Sequence, residues 1–157
     1  TLVPLPASHA KINRNSFIIT EDLDAVALWW PVGQRLEMDI PDYGERLAKV
    51  TGPAVGRFVV LDMVMHAHHP QNRPHWYLAF LAVQPDRQGE GMGSALLRYR
   101  HGQPGNEAVP AYLEATGLRN RALYGRHGYQ AWKPLPIPGG PALWPMWRRG
   151  AFGTGES

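Results

Sequence analysis

Residues 76–83 read Trp-Tyr-Leu-Ala-Phe-Leu-Ala-Val, residues 84–87 Gln-Pro-Asp-Arg, residues 88–93 Gln-Gly-Glu-Gly-Met-Gly, and residues 94–98 Ser-Ala-Leu-Leu-Arg. The first eight are apolar without exception, as in a strand covered on both faces at the centre of an α/β sheet. The last five begin a helical run. Strand, glycine loop and helix therefore follow one another. Glycines alternating at 89, 91 and 93 let successive backbone N–H groups point the same way, and the helix start adds its positive end, which makes an anion site suited to phosphates. A Walker loop is excluded, because no Gly-Lys-Ser/Thr follows. The dinucleotide fingerprint fails too, since its third glycine would fall at Ser94. Alone, the loop fits a structural turn as well as a phosphate cradle.

Working outward, Ser16 to Thr20 and Ala25 to Trp30 are predicted as two strands of a hairpin, with Pro31 stopping the second. Residues 1–15 hold two prolines and no period, so an irregular arm is expected there. Tyr43, Leu47 and Val50 repeat at three and four residues, which predicts a helix over Pro41 to Val50. A second helix follows over Ala54 to His66, although Phe58 to Leu61 would also serve as a strand. Downstream of the loop, Gly102 to Gly105 should cut the helix short. A strand over Ala111 to Ala115, a helix from Asn120 to His127 stopped by Gly128, a strand over Tyr129 to Trp132 and a last strand over Leu143 to Arg148 complete the pattern. The tail from Gly150 is expected to fray.

At 157 residues, 44% hydrophobic and 18% charged, the chain suits one domain with a single core. Residues 16–149 form that domain, with 150–157 as a flexible tail. There is no cysteine, which removes disulfides, thiolate metal sites and thiol nucleophiles together. No apolar stretch approaches the roughly 18 residues of a membrane span and no basic-then-apolar leader opens the chain, so a soluble, cytoplasmic protein without a membrane partner is expected. The net charge of +3 comes from scattered residues rather than a basic stripe, so nucleic acid is not an expected partner. His66, His68, His69 and His75 cluster with His-x-His spacing, but no Asp, Glu or Cys completes a set and the reading is a solvated turn without metal.

Val83-Gln84-Pro85 followed by Arg87-Gln88-Gly89-Glu90-Gly91-Met92-Gly93 resembles the coenzyme A signature of the GNAT superfamily of N-acetyltransferases. Asn120, Tyr124, Gly128 and Tyr129 resemble its second signature, Asn-x3-Tyr-x3-Gly-Phe/Tyr, at the expected distance after the Leu113-Glu114-Ala115-Thr116 strand. Within the superfamily, Ala25 to Trp30, Pro74 to Leu78, Val109 to Glu114 and Pro138 to Arg148 are similar to puromycin N-acetyltransferase and related actinobacterial enzymes. The resemblance covers residues 16–149. It implies an α/β (α+β) GNAT acyl-CoA N-acyltransferase fold, a mixed central sheet flanked by helices, with the usual N-terminal strand and two helices missing. It also carries two departures: Glu90 puts a negative charge on the loop, and Gly102 to Gly105 breaks a helix that is usually long.

The implied function is an N-acetyltransferase moving an acetyl group from acetyl-CoA to a primary amine of a small molecule, an antibiotic or metabolite, by direct attack in a ternary complex. Acetyl-CoA is then a co-substrate and no metal takes part. The implied cofactor contacts are backbone groups at Ala82 and Val83 for the pantetheine arm, N–H groups across Arg87, Gln88, Gly89, Glu90, Gly91, Met92, Gly93 and Ser94 for the pyrophosphate, and Asn120 for the arm, unless Asn120 caps its helix. Tyr124 is the expected general acid, since a phenol of pKa about 10 stays protonated and can donate to the departing thiolate. Glu114 and His75 are the candidates for the base that takes the proton of the amine, with ordered water as the alternative. The rival reading is a non-catalytic coenzyme A-binding or sensing module. The partner expected is the amine acceptor, with homodimer assembly left open.

Overall fold

The computed structural model describes residues 7–12, 15–36 and 40–151. A mixed seven-stranded sheet runs in the order β1-β2-β3-β4-β5-β7-β6. Its strands are β1 (Ala7–Ile12), β2 (Asn15–Thr20), β3 (Ala25–Val32), β4 (His75–Val83), β5 (Ala111–Ala115), β6 (Gln130–Ala131) and β7 (Trp144–Arg148). Helices α1 (Tyr43–Thr51) and α2 (Val55–His68) connect β3 to β4, α3 (Met92–His101) follows β4, and α4 (Leu118–Arg126) follows β5. Among the described residues no helix is long and apolar enough to cross a membrane.

Alternation of side chains along the strands divides the core in two. On one face Ala25, Ala27, Trp29, Leu78, Leu113 and Met146 pack under Leu96 and Leu97 of α3 and Tyr124 of α4. On the other, Val32, Tyr77, Tyr112 and Trp147 form a smaller aromatic cluster. Strand β4 changes sides between them. Leu28 faces Phe80 across the β3 ladder and Trp29 faces Leu78, so Ala79 is the extra residue of a β-bulge. Trp76 and Leu78 point toward α3, and beyond the bulge so do Leu81 and Val83. On its other edge β4 pairs with β5 in parallel only at Trp76 with Ala111 and Tyr77 with Tyr112. Past Tyr77 the ladder between the two strands ends and leaves a gap in the sheet.

Several expectations change. Ala7–Ile12, expected as irregular arm, is a strand paired antiparallel to β2 from Ala7 opposite Thr20 to Ile12 opposite Asn15; hairpin pairing satisfied what lack of apolar period concealed. Pro31 does not end β3 but lies within it, opposite Trp76. The β2 pairing ends at Trp29, so the missing N–H falls where the strand has an edge. Strand β4 is covered on both faces only in its first half, and Phe80 is 66% exposed. Gly102 does end α3 after ten residues, its N–H bonding the carbonyl of Arg98 at 2.9 Å. Residues 152–157 of the expected tail lie outside the described residues, but Gly150 and Ala151 are tied down: the Ala151 N–H donates to the Glu107 carbonyl at 2.6 Å.

A Cβ on Gly150 would stand 1.9 Å from the Ala108 carbonyl oxygen, so only glycine permits this approach of two backbones. Gly150→Ala should lower stability by about 1–3 kcal/mol in urea unfolding, whereas a tail that was loose there would leave the midpoint unchanged.

Candidate active site

The glycine loop takes the shape its sequence requires. Gly89 and Gly91 have φ of 92° and 87°, left-handed values that a side chain would disfavour by about 1–2 kcal/mol. Gly91 is the residue before α3, and the first helical hydrogen bond runs from Ala95 N–H to the Gly91 carbonyl at 2.9 Å. The N–H groups of Met92, Gly93 and Ser94 therefore stand at the open, positive end of a ten-residue helix. A methyl at Gly93 would touch Leu123 at 3.5 Å and Leu81 at 3.6 Å, so this helix start is wedged between β4 and α4.

A cleft of about 500 Å³ opens there, lined by Leu81, Ala82, Val83, the loop, and Arg119, Asn120, Leu123, Tyr124 and Arg126 of α4. Of the residues expected to contact cofactor, Ala82, Val83, Arg87, Gln88, Gly89, Gly91, Met92, Gly93, Ser94 and Asn120 all line it, and Glu90 does not. Glu90 instead accepts from Arg87 Nε at 2.9 Å, while the Arg87 Nη1 also pairs with Asp24. The negative charge of the loop is thus neutralised locally, and the Arg87 guanidinium is committed to carboxylates. Positive charge on the wall comes from Arg119 and Arg126 as well. They escaped the sequence reading, yet residues 119, 123 and 126 share one helical stripe (i, i+4, i+7) beside Asn120 and Tyr124. Asn120 is the third residue of α4 rather than its cap, a position held by Gly117; its amide donates to Thr116 Oγ1 at 3.0 Å. Behind the cleft, His127 Nε2 and Ser94 Oγ lie 2.9 Å apart and join α4 to α3.

Tyr124 lines this cleft with 8% of its surface exposed. Burial raises its phenol to about 12, so it keeps its proton throughout the neutral range. Glu114 approaches from the other side. By strand alternation it shares the face of Tyr112, and its Oε2 accepts from the Tyr77 hydroxyl at 3.0 Å. Burial raises its carboxyl from 4.5 to about 7, against the opposing effect of the tyrosine hydrogen bonds. Its Oε1 is buried with no hydrogen-bond partner, and Glu114 is not among the residues that line the cleft of the glycine loop. The hydroxyl proton of Tyr77 is held more tightly than in water, first by burial and then by the Glu114 charge.

His75 is brought into neither group. It is 2% exposed and absent from the lining of the cleft. Its Nδ1 lies 2.5 Å from the Arg73 carbonyl and its Nε2 lies 3.1 Å from His69 Nε2. A carbonyl only accepts, so His75 Nδ1 carries the proton, its Nε2 accepts, and His69 Nε2 donates. Burial holds both imidazoles neutral, His69 at about 3. The pair ties the end of α2 to the start of β4, so the histidine cluster expected as a solvated turn is instead the last turn of α2, with His66 and His68, and two buried imidazoles. His68 Nδ1 lies 2.8 Å from the Val64 carbonyl of its own helix, and among the described residues no three of His, Asp and Glu gather as a metal site.

The model of the acetyltransferase (GNAT) domain family matches residues 49–131, more than half of the chain, and the chain belongs to this family. Among solved structures it is similar to a Corynebacterium glutamicum protein named histone acetyltransferase HPA2 and related acetyltransferase, with 28% identity over 90% of this chain and 68% of that one, at a TM-score of 0.64. An arylalkylamine N-acetyltransferase 2 from Aedes aegypti shares the fold at 15% identity and a TM-score of 0.55, over 87% of this chain and 73% of that one. A Drosophila melanogaster polyamine N-acetyltransferase does so at 16% identity and 0.52, over 87% and 74%.

Replacing Gly91 by valine should force the loop out of its left-handed turn and weaken coenzyme A binding at least tenfold in a calorimetric titration. Gly125→Ala, at an α4 position where a Cβ meets nothing within 4 Å, should leave binding unchanged.

Proposed function

We propose that the chain is an acetyl-CoA-dependent N-acetyltransferase acting on a primary amine of a small molecule, with the expected catalytic domain of residues 16–149 extended by strand β1 and by the Ala151 tie to Glu107. The observation that carries this reading is the arrangement around the β4–β5 gap. A buried phenol stands on the α3–α4 side of the sheet and a buried carboxyl of raised pKa on the opposite side. Acetyl transfer needs a proton donor where the thiolate leaves and a proton acceptor where the amine enters, and the two sides of one gap supply them separately.

The residues divide the work as follows. Loop N–H groups from Gln88 to Ser94 bind the pyrophosphate, and Arg119 and Arg126 add positive charge along the cleft. Main-chain groups of Ala82 and Val83, on the edge of β4 that has lost its strand partner, hold the pantetheine arm, and Asn120 contacts it from α4. An N–H on this edge faces the oxygen of the thioester as negative charge builds there. Glu114 as carboxylate accepts the proton of the amine. The amine nitrogen bonds to the acetyl carbon, the carbon–sulfur bond breaks, and Tyr124 donates its hydroxyl proton to the departing thiolate. His75, tied to His69, orients the β4 start rather than taking a proton. Membership of the puromycin N-acetyltransferase-like branch of the superfamily is proposed on the sequence segments noted above.

Thiol release from acetyl-CoA over a panel of primary amines tests the reading. Tyr124→Phe should cut kcat by about 10²-fold or more while coenzyme A still binds; an unchanged kcat would remove the phenol from the chemistry.

Because Glu114 must be ionised to act, kcat/KM should rise with pH through about 7, and Glu114→Gln should abolish that limb. The same shift has a stability consequence of known sign. The folded state holds this proton more tightly than the unfolded chain, so Glu114 costs stability as pH climbs from about 4.5 to about 7. Glu114→Gln should therefore gain on the wild type in thermal unfolding at pH 8 and not at pH 4. A wild-type rate that is flat from pH 6 to 8 would contradict the assignment.

A further inference from the structure

Helix α2, Val-Gly-Arg-Phe-Val-Val-Leu-Asp-Met-Val-Met-His-Ala-His, is apolar nearly all round, yet none of its residues is buried. A helix of that composition ordinarily sits inside a core. Here it shares open space with Tyr77 of the sheet. One such space, about 340 Å³, lies between α1, α2 and β4 and is lined mainly by Leu36, Ile40, Met63, Met65, Tyr43 and Tyr77, with His66 and His69 at the α2 end of its wall. That volume is in the range of small-molecule sites, roughly 300–1,000 Å³. Among the described residues of its wall Asp62 is the one carboxylate, and the Tyr43 hydroxyl donates to its Oδ2 at 2.5 Å. Tyr77 belongs to both places: it lines the pocket, and its hydroxyl donates to Glu114 at 3.0 Å.

Resting on the acetyltransferase reading, we propose that this pocket holds the body of the acceptor, and that the acceptor is an amine carried on an apolar aliphatic or aromatic body. Such a ligand matches the wall in each part. An amine arrives in water as an ammonium ion, and Asp62 is the charge that draws it in. The body then covers the methionines, Leu36, Ile40 and the two tyrosine rings, apolar surface that α2 leaves uncovered. The shared Tyr77 fixes the direction, so that the amine end reaches Glu114 at the gap while the body stays under α2. A small hydroxylated amine would leave that apolar wall wet and gain nothing from it. Specificity therefore lies in Met63, Met65, Ile40 and Asp62, none of which touches the cleft of the glycine loop.

The test uses ethylamine, butylamine, hexylamine and phenylethylamine, with ethanolamine as the polar control, in two measurements on the full chain: thiol release from acetyl-CoA, and calorimetric binding of each amine with and without coenzyme A. Each methylene placed in an apolar site is worth about 0.8 kcal/mol, which is about fourfold in affinity, so affinity and kcat/KM should climb along the alkyl series and phenylethylamine should exceed ethanolamine at least tenfold. Met65→Trp, which fills the pocket, should weaken hexylamine tenfold or more while sparing ethylamine and coenzyme A. Asp62→Asn should raise KM for every amine and leave the coenzyme unaffected, which keeps the test open if the tryptophan variant fails to fold. Equal turnover of all amines, or hexylamine indifferent to both substitutions, would overturn the pocket while leaving the transferase reading intact. Hexylamine that binds and is displaced by Met65→Trp, with no thiol released for any amine, would support the pocket and sink the transferase reading. Hexylamine that neither binds nor reacts would overturn the proposal.

Discussion

The separation of β4 from β5 is the constraint on which the rest of this molecule depends. Two parallel pairs, Trp76 with Ala111 and Tyr77 with Tyr112, hold the strands together, and one extra residue at Ala79 in the ladder to β3 turns the remainder of β4 over. A sheet that continued its ladder would bury those backbone groups in hydrogen bonds. Because this one does not, main-chain groups in the middle of the domain stay available to a ligand, and the cleft walls form around them from the glycine loop and α4.

The bulge also decides which side chains meet the gap. It keeps Tyr77 among the aromatic cluster of one face while sending Leu81 and Val83 to the other. The carboxyl of Glu114 and the phenol of Tyr124 then approach from opposite sides, each in surroundings that hold on to its proton. For Glu114 this brings the carboxyl to about 7, near the working range of a base; for Tyr124 it gives an acid of about 12 that stays loaded. The same loss of water produces both shifts, in the directions that the proposed roles of base and acid call for.

Much of this was legible in the residues. The apolar run before alternating glycines marked β4 and its loop, because these rest on local backbone demands, whereas Asn120 with Tyr124 marked the second wall of the cleft only through the resemblance to the family's second signature. What escaped depends on contacts distant in sequence. Nothing local reveals that Tyr77 reaches Glu114, that Asp62 meets Tyr43, or that His69 and His75 pair through their Nε2 atoms. Pro31 misled because its cost depends on whether a neighbouring strand needs its N–H, which only the register discloses. Ala7–Ile12 was missed because its strand exists through pairing with β2 rather than through a period of its own.

The central claim is that coenzyme A is held by main-chain donors at the β4 gap and the glycine loop. Amide hydrogen exchange followed with and without saturating coenzyme A reads those donors directly. The account predicts slowed exchange across Ala82, Val83 and Gln88 to Ser94, with the β1–β2 hairpin unaffected. Exchange at these amides that is indifferent to the ligand, or protection confined to another part of the chain, would contradict it.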